Sequence, residues 1–157
     1  MNPIFEGLSY IGKVGAVWIV IALVLALVWR RWGILALTVA AVLIADLTAT
    51  GLKDLFDVQR PSGRYPLPRP LIHAPTDPSF PSGHAATSFA GATILSVVAP
   101  RFAPAWIVLA CAIAFSRVYV GVHYPLDIVG GAVLGVAIAL LTLAVNRQRS
   151  RATTRSG

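Results

Sequence analysis

Three short clusters gather the residues of this chain best suited to chemistry. The first runs Lys53-Asp54-Leu55-Phe56-Asp57-Val58-Gln59-Arg60-Pro61, the second is Pro81-Ser82-Gly83-His84, and the third runs from Ser116-Arg117 to His123-Tyr124-Pro125-Leu126-Asp127. Lys53, Arg60 and Arg117 are three cations. Arginine offers a planar fork of donors that matches phosphate oxygens, and lysine offers a point charge. Ser82 and Gly83 precede an apolar run, so their backbone N–H groups would open a helix N-terminus, a ready anion site. Gly83 also lets a ligand approach the backbone closely. The ligand these residues imply is a phosphate or a diphosphate.

Two histidines add reactivity. His123 and Asp127 are four residues apart, and Pro125 suits the first turn of a helix that places both on one side. A carboxylate on one imidazole nitrogen fixes the tautomer and leaves the other nitrogen's lone pair available for attack. His84, beside the Ser82-Gly83 anion site, could give a proton to a leaving oxygen and later activate water. Each part alone has a plainer reading. Cations near span ends commonly mark topology, Pro-Ser-Gly is ordinary turn chemistry, and His123 with Asp127 could be a structural hydrogen bond or two ligands of a metal. The metal reading is the weaker one. The only other histidine is His73, and neither an H-E-x-x-H nor a paired-cysteine motif is present.

The elements that must position these clusters are membrane spans. The chain has 157 residues, 57% of them hydrophobic and 12% charged, with a mean hydropathy of +0.76. So few charges could not cover a soluble protein of this size, which excludes a disordered chain, a coiled coil and a typical cytosolic enzyme. A net charge of +7 comes from basic residues scattered over span ends, one loop and a tail, which excludes a nucleic-acid module. Five apolar runs stand out: Val14 to Trp29, Ile34 to Leu52, Ala85 to Ala99, Pro104 to Val120 and Leu126 to Val145. About 20 helical residues cross a ~30 Å hydrocarbon core, so the second and fifth suffice by themselves. The first, third and fourth need interfacial residues, and the third fits either a short buried helix or locally thinned lipid. The first run reads as a retained helix rather than a cleaved signal. The fold class expected is an all-α polytopic membrane bundle of about five transmembrane helices, a single domain over residues 1–157.

Smaller features fit that bundle. Gly130, Gly131 and Gly135 predict close helix packing. Asp46 lies within the second span and is expected to hydrogen-bond inside the bundle. Cys111, the single cysteine, is expected as a small buried hydrophobe. Residues 53–84 form the one long polar connection, with prolines at 61, 66, 68, 70, 75, 78 and 81. It must be mostly loop, and loops of that length are commonly functional. All three clusters fall on the same side of the membrane. The other side carries Arg30, Arg31, Arg101, Arg147, Arg149, Arg151 and Arg155 without an acid, whereas Lys13, Lys53, Arg60, Arg64, Arg69 and Arg117 are offset by Glu6, Asp54, Asp57, Asp77 and Asp127. The positive-inside rule then places the clusters outside and the Arg-rich tail, residues 146–157, in the cytoplasm. That tail is expected to be a disordered topology anchor.

Taken together the clusters resemble the signature of the PAP2 (type 2 phosphatidic acid phosphatase) superfamily, K-x6-R-P, P-S-G-H and S-R-x5-H-x3-D. Lys53, Arg60, Pro61, Pro81, Ser82, Gly83, His84, Ser116, Arg117, His123 and Asp127 fill every fixed position in order. The resemblance implies a PAP2/haloperoxidase-like core and catalysis through a phosphohistidine. Lys53, Arg60, Ser82, Gly83 and Arg117 would bind the substrate phosphate, His123 would be the nucleophile, His84 the general acid and Asp127 the carboxylate that orients His123. It implies no cofactor and no metal, with vanadate acting as a phosphate mimic. Membrane members commonly have six spans, one more than the five counted here, and a re-entrant Ile4 to Ile11 segment is an alternative for the difference. The implied partners are a membrane lipid phosphate and the bilayer of a bacterial plasma membrane; oligomeric state is not implied. Undecaprenyl diphosphate is the leading substrate, with phosphatidylglycerophosphate and phosphatidic acid as runners-up, and a non-catalytic phospholipid-binding or transport protein as the alternative of another class.

Overall fold

The computed structural model describes residues 15–65, 70–72 and 75–155. Glu6, Lys13, the Ile4 to Ile11 segment, Pro66, Pro68, Arg69 and His73 lie outside the described residues. The described chain folds as α1 (Ala16–Trp29), α2 (Trp32–Phe56), a single turn α3 (Pro61–Arg64), α4 (Gly83–Val98), a 3-10 turn (Pro100–Phe102), α5 (Ala103–Tyr119) and α6 (Pro125–Arg155). Among the described residues, three stretches are long and apolar enough to cross a membrane: Trp32–Arg64, Pro100–Tyr119 and Pro125–Thr153. Two shorter apolar helices, α1 and α4, accompany them. The chain is an integral membrane protein built as an all-α bundle.

Helix α4 is the axis. It packs on α6, α2 and α5, while α1 packs on α2. Its Ala85, Ala86, Thr87, Ser88, Ala90, Gly91, Ala92, Ile94 and Leu95 are buried. Helix α4 is thus enclosed by protein on three sides, and its 16 residues are fewer than the ~20 that cross a full hydrocarbon core. Small residues bring its neighbours close. A Cβ at Gly135 would collide with the Ala86 carbonyl oxygen, and one at Gly131 with that of Ser82. These glycines are therefore the seam between α4 and α6, as their spacing predicts. On another side of α4, the Trp18 ring of α1 lies over Gly91 and is fully buried.

Two expectations are corrected. Cys111 is exposed, because α5 buries only the side that carries Ala110, Ala114 and Arg117. The Arg-rich tail is not disordered over its described residues 146–155: α6 stays helical to Arg155. Extending an existing helix avoids the cost of nucleating a new one. The Ser150 hydroxyl donates to the Asn146 carbonyl at 3.1 Å, and Thr153 to Arg149 at 3.1 Å, within those last turns.

The C-termini of α2 and α5 and the N-termini of α4 and α6 share one end of the bundle, where the Ser82 N–H donates to the Asp127 carbonyl at 3.0 Å. The long connection closes over this end. Its Ser79 N–H donates to the Val58 carbonyl at 2.7 Å, and its Leu71 N–H to the Val120 carbonyl at 3.1 Å. All three polar clusters lie here.

Candidate active site

His123 sits in the turn between α5 and α6 and is 5% exposed. Its Nδ1 lies 3.2 Å from Asp127 Oδ2, and its Nε2 lies 3.2 Å from Arg60 Nη1. A guanidinium has only donors and an ionised carboxylate only acceptors. The two contacts therefore agree on one tautomer, with the proton on Nδ1 facing Asp127 and the lone pair on Nε2 facing Arg60. Burial lowers the His123 pKa below its ordinary value, and the charges of Arg60 and Lys53 push it the same way, against the pull of Asp127. The ring is thus neutral at pH 7, with its free lone pair directed at a cation. That geometry argues against His123 and Asp127 as a metal pair, because a guanidinium faces the nitrogen a metal would need. Among the described residues no group of three or more His, Cys, Asp or Glu could hold a metal ion.

Asp127 is held by the start of its own helix. It is the third residue of α6, and its Oδ2 accepts the Tyr124 N–H at 2.8 Å, the reach-back of a helix-capping carboxylate. The same oxygen accepts the hydroxyl of Ser79. Ser79 is fully buried, and its Oγ is also 3.4 Å from His123 Nδ1. The sequence reading did not single out Ser79; the one signal available was its place two residues before Pro81-Ser82-Gly83-His84.

Arg60 has every N–H engaged. Nε donates to the Asp77 carbonyl at 2.7 Å, and Nη1 to the Val122 carbonyl at 2.9 Å and toward His123 Nε2. Nη2 donates to Asp77 Oδ1 at 3.1 Å and to the Pro78 carbonyl at 3.4 Å. Lys53, in the last turn of α2, pairs through Nζ with Asp77 Oδ2. One carboxylate thus spans two of the three candidate phosphate cations. Partial burial would raise the Asp77 pKa, but the Lys53 hydrogen bond and the charges of Lys53 and Arg60 outweigh it and hold the carboxyl below its ordinary value. Sequence reading counted Asp77 only as a charge; its partners lie 24 and 17 residues away, and no spacing rule connects them.

The remaining candidates take the same end. Ser82 caps α4, its hydroxyl accepting the Ala85 N–H at 3.5 Å, and Gly83 is the first residue of that helix. A Cβ at Gly83 would lie 3.7 Å from Asp46 Oδ1, so the intramembrane acid approaches the backbone where the anion site is expected. His84 follows on the first turn of α4. Arg117 is 8% exposed on the last turn of α5, with Nε donating to Ser116 Oγ at 3.1 Å. The structure thus joins Arg60, His123, Asp127 and, through Asp77, Lys53 by direct contacts, and places Ser82, Gly83, His84 and Arg117 by their helix ends.

Known proteins are similar to this chain in sequence and in fold. The profile of the PAP2 superfamily matches residues 32–151. The chain is 31% identical over 154 residues to the decaprenylphosphoryl-5-phosphoribose phosphatase of Mycobacterium tuberculosis, covering 96% of this chain and 83% of that one. It is 35% identical over 102 residues to the bacitracin transport permease protein BcrC of Bacillus licheniformis, covering 65% and 50%. It is 43% identical over 74 residues to an undecaprenyl-diphosphatase of Sulfolobus acidocaldarius, covering 45% and 35%. The chain therefore spans half or less of the length of the last two. Among solved structures, Aquifex aeolicus LpxE superposes with a TM-score of 0.66 at 25% identity, covering 92% of this chain and 88% of that one. A bacterial vanadium-dependent iodoperoxidase superposes with a TM-score of 0.69 at 22% identity, covering 83% and 38%, a likeness of fold. With its profile matched over most of the chain and its signature residues gathered at one end of the bundle, the chain belongs to the PAP2 superfamily, among its membrane lipid phosphatases.

Proposed function

We propose that the chain hydrolyses a lipid-borne phosphate at the outer membrane surface, without a metal, through a phosphohistidine on His123. The observation that carries this reading is the line Arg60–His123–Asp127, which leaves a neutral imidazole with its Nε2 lone pair beside a phosphate-binding cation. Nε2 attacks phosphorus, and the bond to the leaving oxygen breaks. His84 as imidazolium protonates that oxygen. Lys53, Arg60, Arg117, Ser82 and the N–H groups opening α4 hold the phosphoryl oxygens as charge shifts. Asp127 stabilises the Nδ1 proton as the ring becomes cationic. Neutral His84 then takes a proton from water, whose oxygen attacks phosphorus. The P–N bond breaks, Nε2 recovers its lone pair and inorganic phosphate leaves.

The substrate best supported is a polyprenyl carrier, with undecaprenyl diphosphate giving undecaprenyl phosphate and phosphate. Two of the relatives described above act, by their names, on polyprenyl phosphates. The relative matched over nearly the whole chain is a phosphatase of a polyprenyl phosphoribose, and this supports a second reading, a phosphomonoester carried on the same kind of tail. The outward orientation rests on the arginines at the opposite end, Arg30, Arg31, Arg101, Arg147, Arg149 and Arg151.

The test is phosphate release by the purified protein in detergent with EDTA. The panel is undecaprenyl diphosphate, a polyprenyl phosphoribose 5-phosphate, phosphatidylglycerophosphate and phosphatidic acid. Release from an isoprenoid at least about tenfold faster than from the glycerolipids, a gap of about 1.4 kcal/mol, supports the carrier reading. Comparable rates on all four mean a broad lipid phosphatase. Dependence of the rate on added magnesium would overturn the mechanism, and lipid binding without release, unaltered in His123→Ala, would favour a binding protein.

A further inference from the structure

Arg60 has five N–H donors, and each is engaged: with the Asp77 carbonyl, the Val122 carbonyl, His123 Nε2, Asp77 Oδ1 and the Pro78 carbonyl. To grip a phosphate oxygen it must release one of these. Three acceptors are backbone carbonyls, and the fourth is the nitrogen that would receive the phosphoryl group. The fifth, Oδ1 of Asp77, is anionic, so a phosphate oxygen can replace it like for like. The other oxygen of the same carboxylate holds Lys53. A single side chain therefore occupies two of the cations that the proposed reaction needs.

Asp77 is also placed so that it can let go. Its side chain is 48% exposed, against 12% for Lys53 and 6% for Arg60. A half-exposed carboxylate can be rehydrated by water as it leaves its partners, which lowers the cost of letting go. Asp77 lies between Pro75 and Pro78 in an irregular stretch rather than in a helix. Together with Arg60 it lines an open cavity of about 660 Å³, shared with Asp57, Gln59, Ser62 and Thr76. Arg60 thus borders both His123 and an open cavity, lined by prolines and Val58 as well as polar side chains, that is wide enough for a small anion to pass.

We infer that Asp77 competes with phosphate for Lys53 and Arg60: it yields both cations to the incoming substrate and reclaims them as inorganic phosphate departs toward the cavity. Asp77 is then a residue that sets how long the product stays, and it touches no reacting atom. This rests on the phosphatase reading given above. Its signature is a change in sign that mere damage cannot produce. Removing the competing charge must tighten phosphate binding, whereas a disturbed site binds phosphate less well.

The experiment uses the full chain in detergent and measures inhibition of lipid-phosphate turnover by inorganic phosphate. In Asp77→Asn the inhibition constant should fall about tenfold, the loss of one competing carboxylate charge, and kcat should fall with it as release slows. Asp77→Glu, which keeps the charge, should stay within about threefold of the parent, under 1 kcal/mol. An unchanged or raised inhibition constant in Asp77→Asn overturns the inference, and so does an Asp77→Glu variant that tightens as much as Asp77→Asn. If Asp77→Asn does not fold, Asp77→Ser is read by the same criteria. Absence of turnover in the parent protein would overturn the phosphatase reading alone. Phosphate titrations followed by 31P line width in the same variants would still decide the role of Asp77, with tightening expected and no tightening fatal.

Discussion

The two nitrogens of His123 face differently built surroundings. On the Nδ1 side, Asp127 and Ser79 are buried and meet on one carboxylate oxygen, which the Tyr124 N–H also holds. Asp127 belongs to the first turn of α6, whose backbone is tied to Ser82 at the start of α4. On the Nε2 side, Arg60 follows the end of α2, and the acid that holds it is half exposed on a loop. The first side relies on helix ends that cannot shift without unpacking the α4–α6 seam. The second relies on an ion pair in contact with water. A phosphoryl-transfer site needs both: an imidazole whose proton and orientation stay fixed, and cations that can exchange one anion for another in each turnover.

That contrast can be broken or sharpened by experiment. His123→Ala removes the proposed nucleophile common to both sides and should lower kcat by about 10⁴-fold or more with the bundle intact, as read by phosphate release alongside thermal unfolding. Asp127→Asn should follow at about 10³-fold, because an amide can present its NH₂ to Nδ1 and favour the wrong tautomer; an effect on KM alone would mean that the acid side does not hold the tautomer. Ser79→Ala should cost about tenfold in kcat, one buried hydrogen bond, with little change in KM.

The pH profile supplies a further test. With its pKa lowered by burial and by Arg60 and Lys53, His123 keeps its lone pair as pH falls through the ordinary histidine value of about 6.5. The acid limb of kcat/KM assigned to His123 should therefore lie below that value, since activity is lost only when the ring takes a second proton. In Ser79→Ala, Asp127 loses a competing donor and attracts the imidazolium more strongly, so the limb should move to higher pH. A limb that moves to lower pH would show that Ser79 does not act through Asp127. The smallest catalytic effect is expected at Gly135→Ala, where the added methyl meets the Ala86 carbonyl. It should destabilise the bundle by about 1–3 kcal/mol while leaving the shape of the pH profile unchanged.

The His123–Asp127 pair was legible because its geometry is local. Four residues separate His123 from Asp127, and Pro125 marks where the helix must begin, so short-range rules suffice to bring them together. The apolar runs likewise gave α2, α4, α5 and α6 to within a few residues, except where α6 continues past Val145. Asp77 and Ser79 were opaque for the opposite reason. Their partners lie in other clusters and meet them only after the long connection has folded over the bundle end. Cys111 was misjudged because an apolar run does not say which side faces protein and which faces lipid. The enclosure of α4 on three sides was equally hidden, because an apolar run does not name its neighbours.

Helix α6 has a practical consequence. It has 31 residues, about 46 Å at 1.5 Å per residue, and only some 30 Å is needed to cross the hydrocarbon. Its first turn carries Asp127, and near its other end residues 144–153 are exposed, a basic post that carries Arg147, Arg149 and Arg151. A fluorophore on that post would report the depth and tilt of α6 from the face opposite the chemistry, without touching a residue that phosphate meets.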